Sequence, residues 1–365
     1  MPLRVLHIAE PMATGVLNFL VDLTKKQAEE YEVYILWGAR PLTPDNVETL
    51  FDKRVQLIKI DAFKGAMKSV INPKSYIEVN KWYNKIAPDI VHMHSTASGI
   101  IGRWAIPCNK TKEIYTPHGY SFFLNKGGKL RKSLVWTIEK LLALRTCLTV
   151  ACSEGEYKEA KKITKNCTFV NNGIDTKTIN PYIMDAKDIV KPIKICTSGK
   201  IYPQKNPKLF NAIARLLPDM EFIWIGDGGS KTELTARNIK VTGWVDREKG
   251  LRIVASSDFF IQPSFGEGLS LALLEAMCLK KICLVSNVIG NKNVIDNGRN
   301  GIICNSAEDY ANNIRIFTQD KDRRIAMVEE AHRDVELFYS VDVMAKSYSK
   351  IYNSLLNNSQ NISEL

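Results

Sequence analysis

No apolar run in the 365-residue chain approaches the roughly 20 residues that a membrane-spanning helix needs. The N-terminal stretch MPLRVLHIAEPM carries a single early Arg4 and no small-residue cleavage site. It reads as a buried strand rather than a signal peptide, so a cytoplasmic protein is expected and a periplasmic sugar-binding protein is disfavoured. The eight cysteines contain no CxxC pair and no Cys/His ligand spacing. Cys147, Cys152, Cys196, Cys283 and Cys304 sit inside apolar runs, as small buried hydrophobes that stay reduced. The segment HIAEPMATGVLN offers no GxGxxG after its strand, which argues against a nicotinamide dehydrogenase.

Charge is plentiful but one-sided, with a formal net value of +11. Residues 1–175 hold 25 Lys+Arg against 17 Asp+Glu, a balance of +8, and the remainder holds 25 against 22, a balance of +3. Basic groups gather at 126–132 and 157–165. Beyond ordinary solvated helix faces, such clusters suit an anionic membrane surface or a phosphate-bearing substrate. No nucleic-acid-binding motif accompanies them, so nucleic acid is not an expected partner.

Short β-branched runs alternate with helix-like segments along the whole chain, the pattern of an α/β protein with parallel sheets. LRVLHIA, YEVYILWG, VQLIKI, DIVHMH, KEIYTPHG, CLTVACS and CTFVNNG are strand candidates in the first half. IKICTSG, MEFIWIGDG, IKVTGW, DFFIQPS, ICLVSN and GIICN follow in the second. Two doubly wound, Rossmann-like sheets in tandem are expected, facing a cleft. The expected division is 1–175, 190–340 and a C-terminal helix with a frayed tail over 341–365, with a seam after NNGID. In such sheets ligands bind beyond the carboxyl ends of the strands.

The segment PSFGEGLSLALLEAM places two acids, Glu267 and Glu275, eight positions apart around an apolar run. DFFIQPS reads as a strand and LSLALLEAMCL as a helix starting near Gly268. Glu267 then lies in the strand-to-helix loop and Glu275 about two turns into the helix. The amides of Gly268, Leu269, Ser270 and Leu271 would occupy a first turn whose donors lack intrahelical partners, a ready phosphate site. In TSGKIYPQKNP, Lys200 and Lys205 follow another strand end, where two ammonium groups could neutralise a diphosphate. His92 and His94 in VHMH are read as facing opposite ways along a strand, so no shared metal is expected of them and at least one is structural.

These segments resemble glycosyltransferase family 4. SGKIYPQKNP, IGDGG, VTGWV, SSDFFIQPSFGEGLSLALLEAM, VSNVIGNKNVI and NGRNGIIC follow the family's order and approximate spacing, and FVNNGID resembles its linker. DIVHMHSTASGIIGRWA and YTPHGYSFF are similar to the N-terminal half of members that build bacterial surface polysaccharides. The resemblance implies the GT-B fold and a retaining, nucleotide-sugar-dependent hexosyltransferase. It implies that Glu267 faces the donor sugar hydroxyls near the reacting carbon, and that Glu275 holds the ribose. Lys200 and Lys205 would grip the distal phosphate, Gly15 would open the first turn to acceptor and phosphate, and His118 would contact a sugar hydroxyl. The sequence departs from the family at Lys200, usually arginine, where a point charge replaces a bidentate fork. It also has one glycine in ATGVLN and one in VIGN where two are common, and none after EAM.

The expected reaction moves a hexose or N-acetylhexosamine from a nucleoside diphosphate sugar, UDP-linked by expectation, to a hydroxyl of a lipid-linked glycan. No cofactor and no metal are expected, because basic groups and a helix start take the phosphate charge. Peripheral attachment at the inner membrane face is expected too. The rivals are a GT-B nucleotide-sugar epimerase and a catalytically inactive sugar-nucleotide-binding partner subunit.

Overall fold

The computed structural model describes residues 2–107, 111–120, 128–145, 147–184, 189 and 191–357. The chain forms two compact units, one from the chain up to position 172 together with the segment from Val341, the other from Gly173–Ser340.

The first unit is built on seven strands, β1 (Arg4–Ala9), β2 (Glu32–Trp37), β3 (Gln56–Lys59), β4 (Ile90–His94), β5 (Lys112–Thr116), β6 (Leu148–Ala151) and β7 (Cys167–Phe169). They lie in the order β3-β2-β1-β4-β5-β6-β7, and every neighbouring pair is parallel. The strand order reverses between β1 and β4, where His7 lies opposite His92. Parallel strands need both faces covered, and β1 is accordingly buried from Val5 to Ala9. Leu6, Ile8, Val91, Met93 and Tyr115 are among the residues that fill one core.

The helix Val341–Leu356, set apart by the sequence reading, belongs to this first unit. Its apolar face carries Tyr348 and Tyr352, both fully buried. Asp342 pairs with Lys26 at 2.8 Å, and Tyr352 accepts a hydrogen bond from Gln27. An amphipathic helix with buried tyrosines needs a surface to cover, and here that surface is the helix Thr14–Gln27 and the histidines behind it.

The second unit holds β8 (Lys194–Ser198), β9 (Glu221–Ile225), β10 (Ile239–Val241), β11 (Phe259–Gln262), β12 (Ile282–Ser286) and β13 (Ile302–Cys304). Their order is β10-β9-β8-β11-β12-β13, again with parallel neighbours. Phe210, Phe222, Trp224, Phe259 and Ile261 are part of its core. Trp224 meets Phe210 edge-on with centroids 4.9 Å apart, and its indole N–H donates to the Gly199 carbonyl. The order reverses between β8 and β11. The loops that leave these two strands therefore flank the switch point at which open α/β sheets bind ligands.

Candidate active site

A network of buried polar side chains holds the loop after β11. Ser270 caps the helix Leu271–Cys278: its Oγ accepts from the Leu273 amide and donates to Gln262 Oε1 at 2.7 Å. Gln262 Nε2 donates to Asn291 Oδ1 at 2.7 Å, and Asn291 Nδ2 donates to the Ser286 carbonyl. All four side chains are buried. Buried polar groups that are fully paired fix one conformation, and this ring ties both ends of the loop to β11 and β12.

The cap also moves the helix start. The first helical residue is Leu271, not Gly268, because a serine at position 270 supplies the capping oxygen. Gly268 and Leu269 consequently lie in the loop, Ser270 is the cap, and one of the early amides is already satisfied by Ser270 Oγ. Glu275 is the fifth residue of the helix, a little over one turn in rather than two.

A second set of bonds draws the β8 loop onto this one. The Phe265 amide donates to the Gln204 carbonyl, and Gln204 Nε2 donates to the Gly266 carbonyl, both at 2.8 Å. That pairing sets Lys205 Nζ 2.8 Å from Glu267 Oε1, with Glu267 almost wholly buried at 6% exposure. Gly199 makes room for the lysine. Its φ is 138°, and an added Cβ would stand 3.1 Å from Lys205 Cε. Asn206, in the left-handed region at φ 55°, turns the chain into the helix Pro207–Leu216. Lys200 is not brought to this pair: its ammonium lies 3.8 Å from the ring centroid of Tyr202, a cation–π contact. Glu275 receives Arg247 Nε at 3.0 Å. Sequence reasoning missed Arg247, since its partner lies 28 positions away and its only local signal is the start of the helix Arg247–Ala255 after Asp246.

In the first unit, Gly15 is the second residue of the helix Thr14–Gln27, exposed, with nothing within 4 Å of an added Cβ. The left-handed position is the preceding Thr14, at φ 52°. Glu10, just past β1 and not singled out from sequence, is fully buried. It pairs with Arg40 and accepts from Ser69 Oγ.

His118 follows β5 with φ 54°, and Gly119 continues at φ 91°. A non-glycine residue in that region costs energy, and a buried carboxylate stabilises the turn. Glu156 Oε1 accepts from the amides of Gly119 (2.6 Å) and Tyr120 (3.1 Å), while Oε2 accepts from Cys152 (2.7 Å). Burial raises the pKa of Glu156 against the lowering effect of these amides.

His92 and His94 face the same way, which corrects the sequence reading. Side chains on a strand alternate, so positions two apart share a face; here the two ring centroids are 4.1 Å apart. Their ring nitrogens, with those of His7, come within 4.8 Å of one another. Burial holds all four rings neutral: His7 is lowered to about 4, His118 to about 3, and His92 and His94 well below the ordinary value. The chain's Asp-x-Asp sequence, Asp320–Asp322, serves a helix start, where Asp320 accepts from the Arg323 amide.

Of the basic cluster at 126–132, Lys126 and the side chains of Lys129, Arg131 and Lys132 lie outside the described residues, as do positions 358–365 of the tail. Among the described residues no helix is long and apolar enough to cross a membrane, and seven cysteines are free and buried.

Two parallel-sheet units of this topology are those of the GT-B fold. Comparison with known proteins agrees. Residues 13–178 match the family model described as Glycosyltransferase Family 4, and residues 192–320 match Glycosyl transferases group 1. An Escherichia coli UDP-Gal:alpha-D-GlcNAc-diphosphoundecaprenol alpha-1,3-galactosyltransferase is 30% identical over 356 residues, covering 87% of this chain and 89% of that one. Sucrose-phosphate synthase from Thermosynechococcus elongatus superimposes with a TM-score of 0.82 at 15% identity, over 98% of this chain and all of that one. Anabaena HepE, solved with UDP and glucose, gives a TM-score of 0.78 at 17% identity, over 96% of this chain and all of that one. The chain belongs to glycosyltransferase family 4, whose members in this class act on nucleotide sugars.

Proposed function

We propose that the protein transfers a hexose or N-acetylhexosamine, with retention, from a UDP-linked donor to a hydroxyl of a diphospho-polyprenol-linked glycan during assembly of a bacterial surface polysaccharide. The observation that carries this reading is the Lys205–Glu267 pair, 2.8 Å apart at the switch point of the second sheet and beside a helix N-terminus. A diphosphate at that position would draw on the ammonium of Lys205, with Lys200 close in the chain as the second cation. The helix start capped by Ser270 supplies further peptide donors, with Gly268 and Leu269 in the loop beside it. Glu267 is then left to accept from sugar hydroxyls, and Glu275, steadied by Arg247, from the ribose. His118 is assigned a further sugar hydroxyl, and Gly15 the approach of the acceptor. The acceptor class is supported by the name of the E. coli relative, which is 30% identical.

In the reaction the bond between the anomeric carbon and the leaving phosphate oxygen breaks, and the acceptor oxygen bonds to the same carbon on the same face. The acceptor's proton passes to the departing diphosphate, so no separate protein base is required. What the protein stabilises is the negative charge growing on the leaving oxygens, through donors already in place. No metal is required by this scheme, since the positive charge comes from lysines and amides.

The test is a panel of UDP- and GDP-sugars offered with and without a GlcNAc-diphospho-polyprenol acceptor, the product linkage being read by NMR. Lys205→Ala should lower turnover by at least about tenfold, given that single preorganised donors contribute about 10²–10³-fold. Near-native turnover in that variant overturns the phosphate assignment. An epimerised donor formed without acceptor replaces transfer with the epimerase reading, and an inverted linkage overturns retention.

A further inference from the structure

The four clustered histidines form a directed chain of hydrogen bonds. We propose that Gln27, acting through His7 and His94, fixes the tautomer of His118 so that its Nδ1 stands bare as a hydrogen-bond acceptor for a donor-sugar hydroxyl. This rests on the assignment of His118 to the sugar. Gln27, His7 and His94 are positioning residues, since none of them reaches substrate.

The direction follows link by link. Gln27 Nε2 donates to Tyr352 Oη at 3.0 Å, which turns Gln27 Oε1, a pure acceptor, toward His7 Nε2 at 2.8 Å. The proton of His7 must therefore be on Nε2, and in a neutral ring Nδ1 is then bare. Nδ1 of His7 lies 2.9 Å from His94 Nε2, which must donate to it. Nδ1 of His94 is bare in turn and accepts from His118 Nε2–H at 3.0 Å. The last ring in the series is left with an unprotonated Nδ1, and among the described residues that atom has no partner. The ring planes meet at 21° for His7 and His94 and 27° for His94 and His118, each pair with centroids 5.2 Å apart. Such near-coplanar, edge-to-edge rings are what an in-plane N–H···N bond needs.

Burial supplies the other condition. His7, His92 and His94 are fully buried, and His118 alone is partly exposed. Low-dielectric surroundings keep each ring at one proton, so a tautomer chosen at one end must be obeyed at the other. Turning the Gln27 amide over would reverse every link and put a proton on His118 Nδ1, making it a donor. The structure has the amide in the first orientation, with Gln27 Nε2 on Tyr352. Tyr352 gives its own proton to His92 Nδ1 at 3.0 Å, while His92 Nε2–H donates to Thr116 Oγ1 at 2.8 Å. Every ring nitrogen of His7, His92 and His94 is thus engaged with protein, so none offers a spare lone pair to a metal ion.

The deciding measurement is a long-range 1H–15N correlation on the full-length protein labelled with 15N-histidine at neutral pH, with His118→Ala identifying the resonances. His118 should show a protonated Nε2 and a bare Nδ1. Gln27→Leu, which removes the anchoring oxygen, should average the two His118 nitrogens. It should also lower kcat about tenfold on the best-used sugar of the UDP and GDP panel, the loss of roughly one hydrogen bond. Gln27→Glu keeps an acceptor facing His7 and should keep the native tautomer and most of the activity. A proton on His118 Nδ1 in the native protein, or an unchanged tautomer in Gln27→Leu, overturns the proposal. So does stoichiometric zinc uptake with metal-shifted nitrogens on His7, His92 and His94. Unaltered turnover in His118→Ala would instead remove the sugar contact, leaving the tautomer result to stand by itself.

Discussion

His7 is the residue whose titration reports most directly on the buried cluster. Its folded-state pKa is lowered to about 4 by burial, against 6.5 for the free side chain. The sign follows from which state binds the proton first. Above pH 7 neither state is protonated and His7 has no effect on the pH dependence. As pH falls through 6.5 the unfolded chain takes up a proton that the folded ring refuses, so stability is lost progressively down to about pH 4 and then levels off. The buried carboxyls of Glu113, Glu139 and Glu156 have raised pKa values and act with the opposite sign, so total stability is the wrong readout. The difference between the native protein and His7→Gln isolates the ring. That difference should be flat from pH 8 to 7 and then shift against the native protein. The shift approaches a tenfold change in folding constant per pH unit between about 6 and 4.5, measured by urea denaturation at each pH. A flat difference across that range would mean that His7 is hydrated or charged in the folded state.

Elements were far more legible in the sequence than the contacts between them. The thirteen strands of the described residues all fall on short runs read from the sequence; most are apolar because a strand buried on both faces is apolar throughout, while the edge strands β3 and β10 are partly exposed. The order of the runs also carried the two-sheet organisation. Helix boundaries were less legible: the start at Leu271 depends on Ser270 being free to turn its hydroxyl to both Leu273 and Gln262, a tertiary choice. Arg247, Gln27 and the docking of the helix Val341–Leu356 were invisible for the same reason, since each depends on partners remote in the chain. The shared face of His92 and His94, by contrast, was present in the sequence and was misread. Among the departures from the family pattern, the single glycine retained in VIGN has a definite task. Gly290 is the second residue of the short helix Ile289–Lys292, and an added Cβ would stand 2.4 Å from the carbonyl oxygens of both Glu267 and Gly268. Backbone cannot yield as a flexible side chain can, so Gly290→Ala must displace the loop that carries Glu267. A cost of about 1–3 kcal/mol is expected from such overpacking. The variant should remain folded by circular dichroism while the thermal gain from UDP shrinks and transfer falls by about tenfold or more. Native UDP stabilisation and turnover in Gly290→Ala would show that the loop is not the nucleotide-sugar site.

On the scale of the whole molecule, the distribution of charge makes its own demand. The surplus over residues 1–175 is +8 of the total +11, and it sits in the same unit as several exposed apolar side chains. Leu134, Leu141 and Leu144 lie along and just beyond the helix Lys129–Leu142, exposed by 61%, 62% and 82%, and Lys140 stands over the ring of Trp136 on the same helix. Exposed leucines beside the exposed Lys140 suit a bilayer interface, where apolar chains enter the headgroup boundary while cations meet anionic lipid. Lipid-linked acceptors are confined to that boundary, so a transferase that uses them gains by residing there. The protein should sediment with phosphatidylglycerol-containing vesicles at low salt and not with neutral phosphatidylcholine vesicles. Since each basic residue near the surface contributes about 1 kcal/mol and the attraction decays within a Debye length, raising the salt to about 0.5 M should release most of it. Leu141→Glu with Leu144→Glu should weaken vesicle binding several-fold. The same pair should leave turnover of a water-soluble, short-chain acceptor unchanged, because these leucines have no part in holding the donor. Equal partition to neutral and anionic vesicles, or none to either, would assign the excess positive charge to solvated helix faces instead.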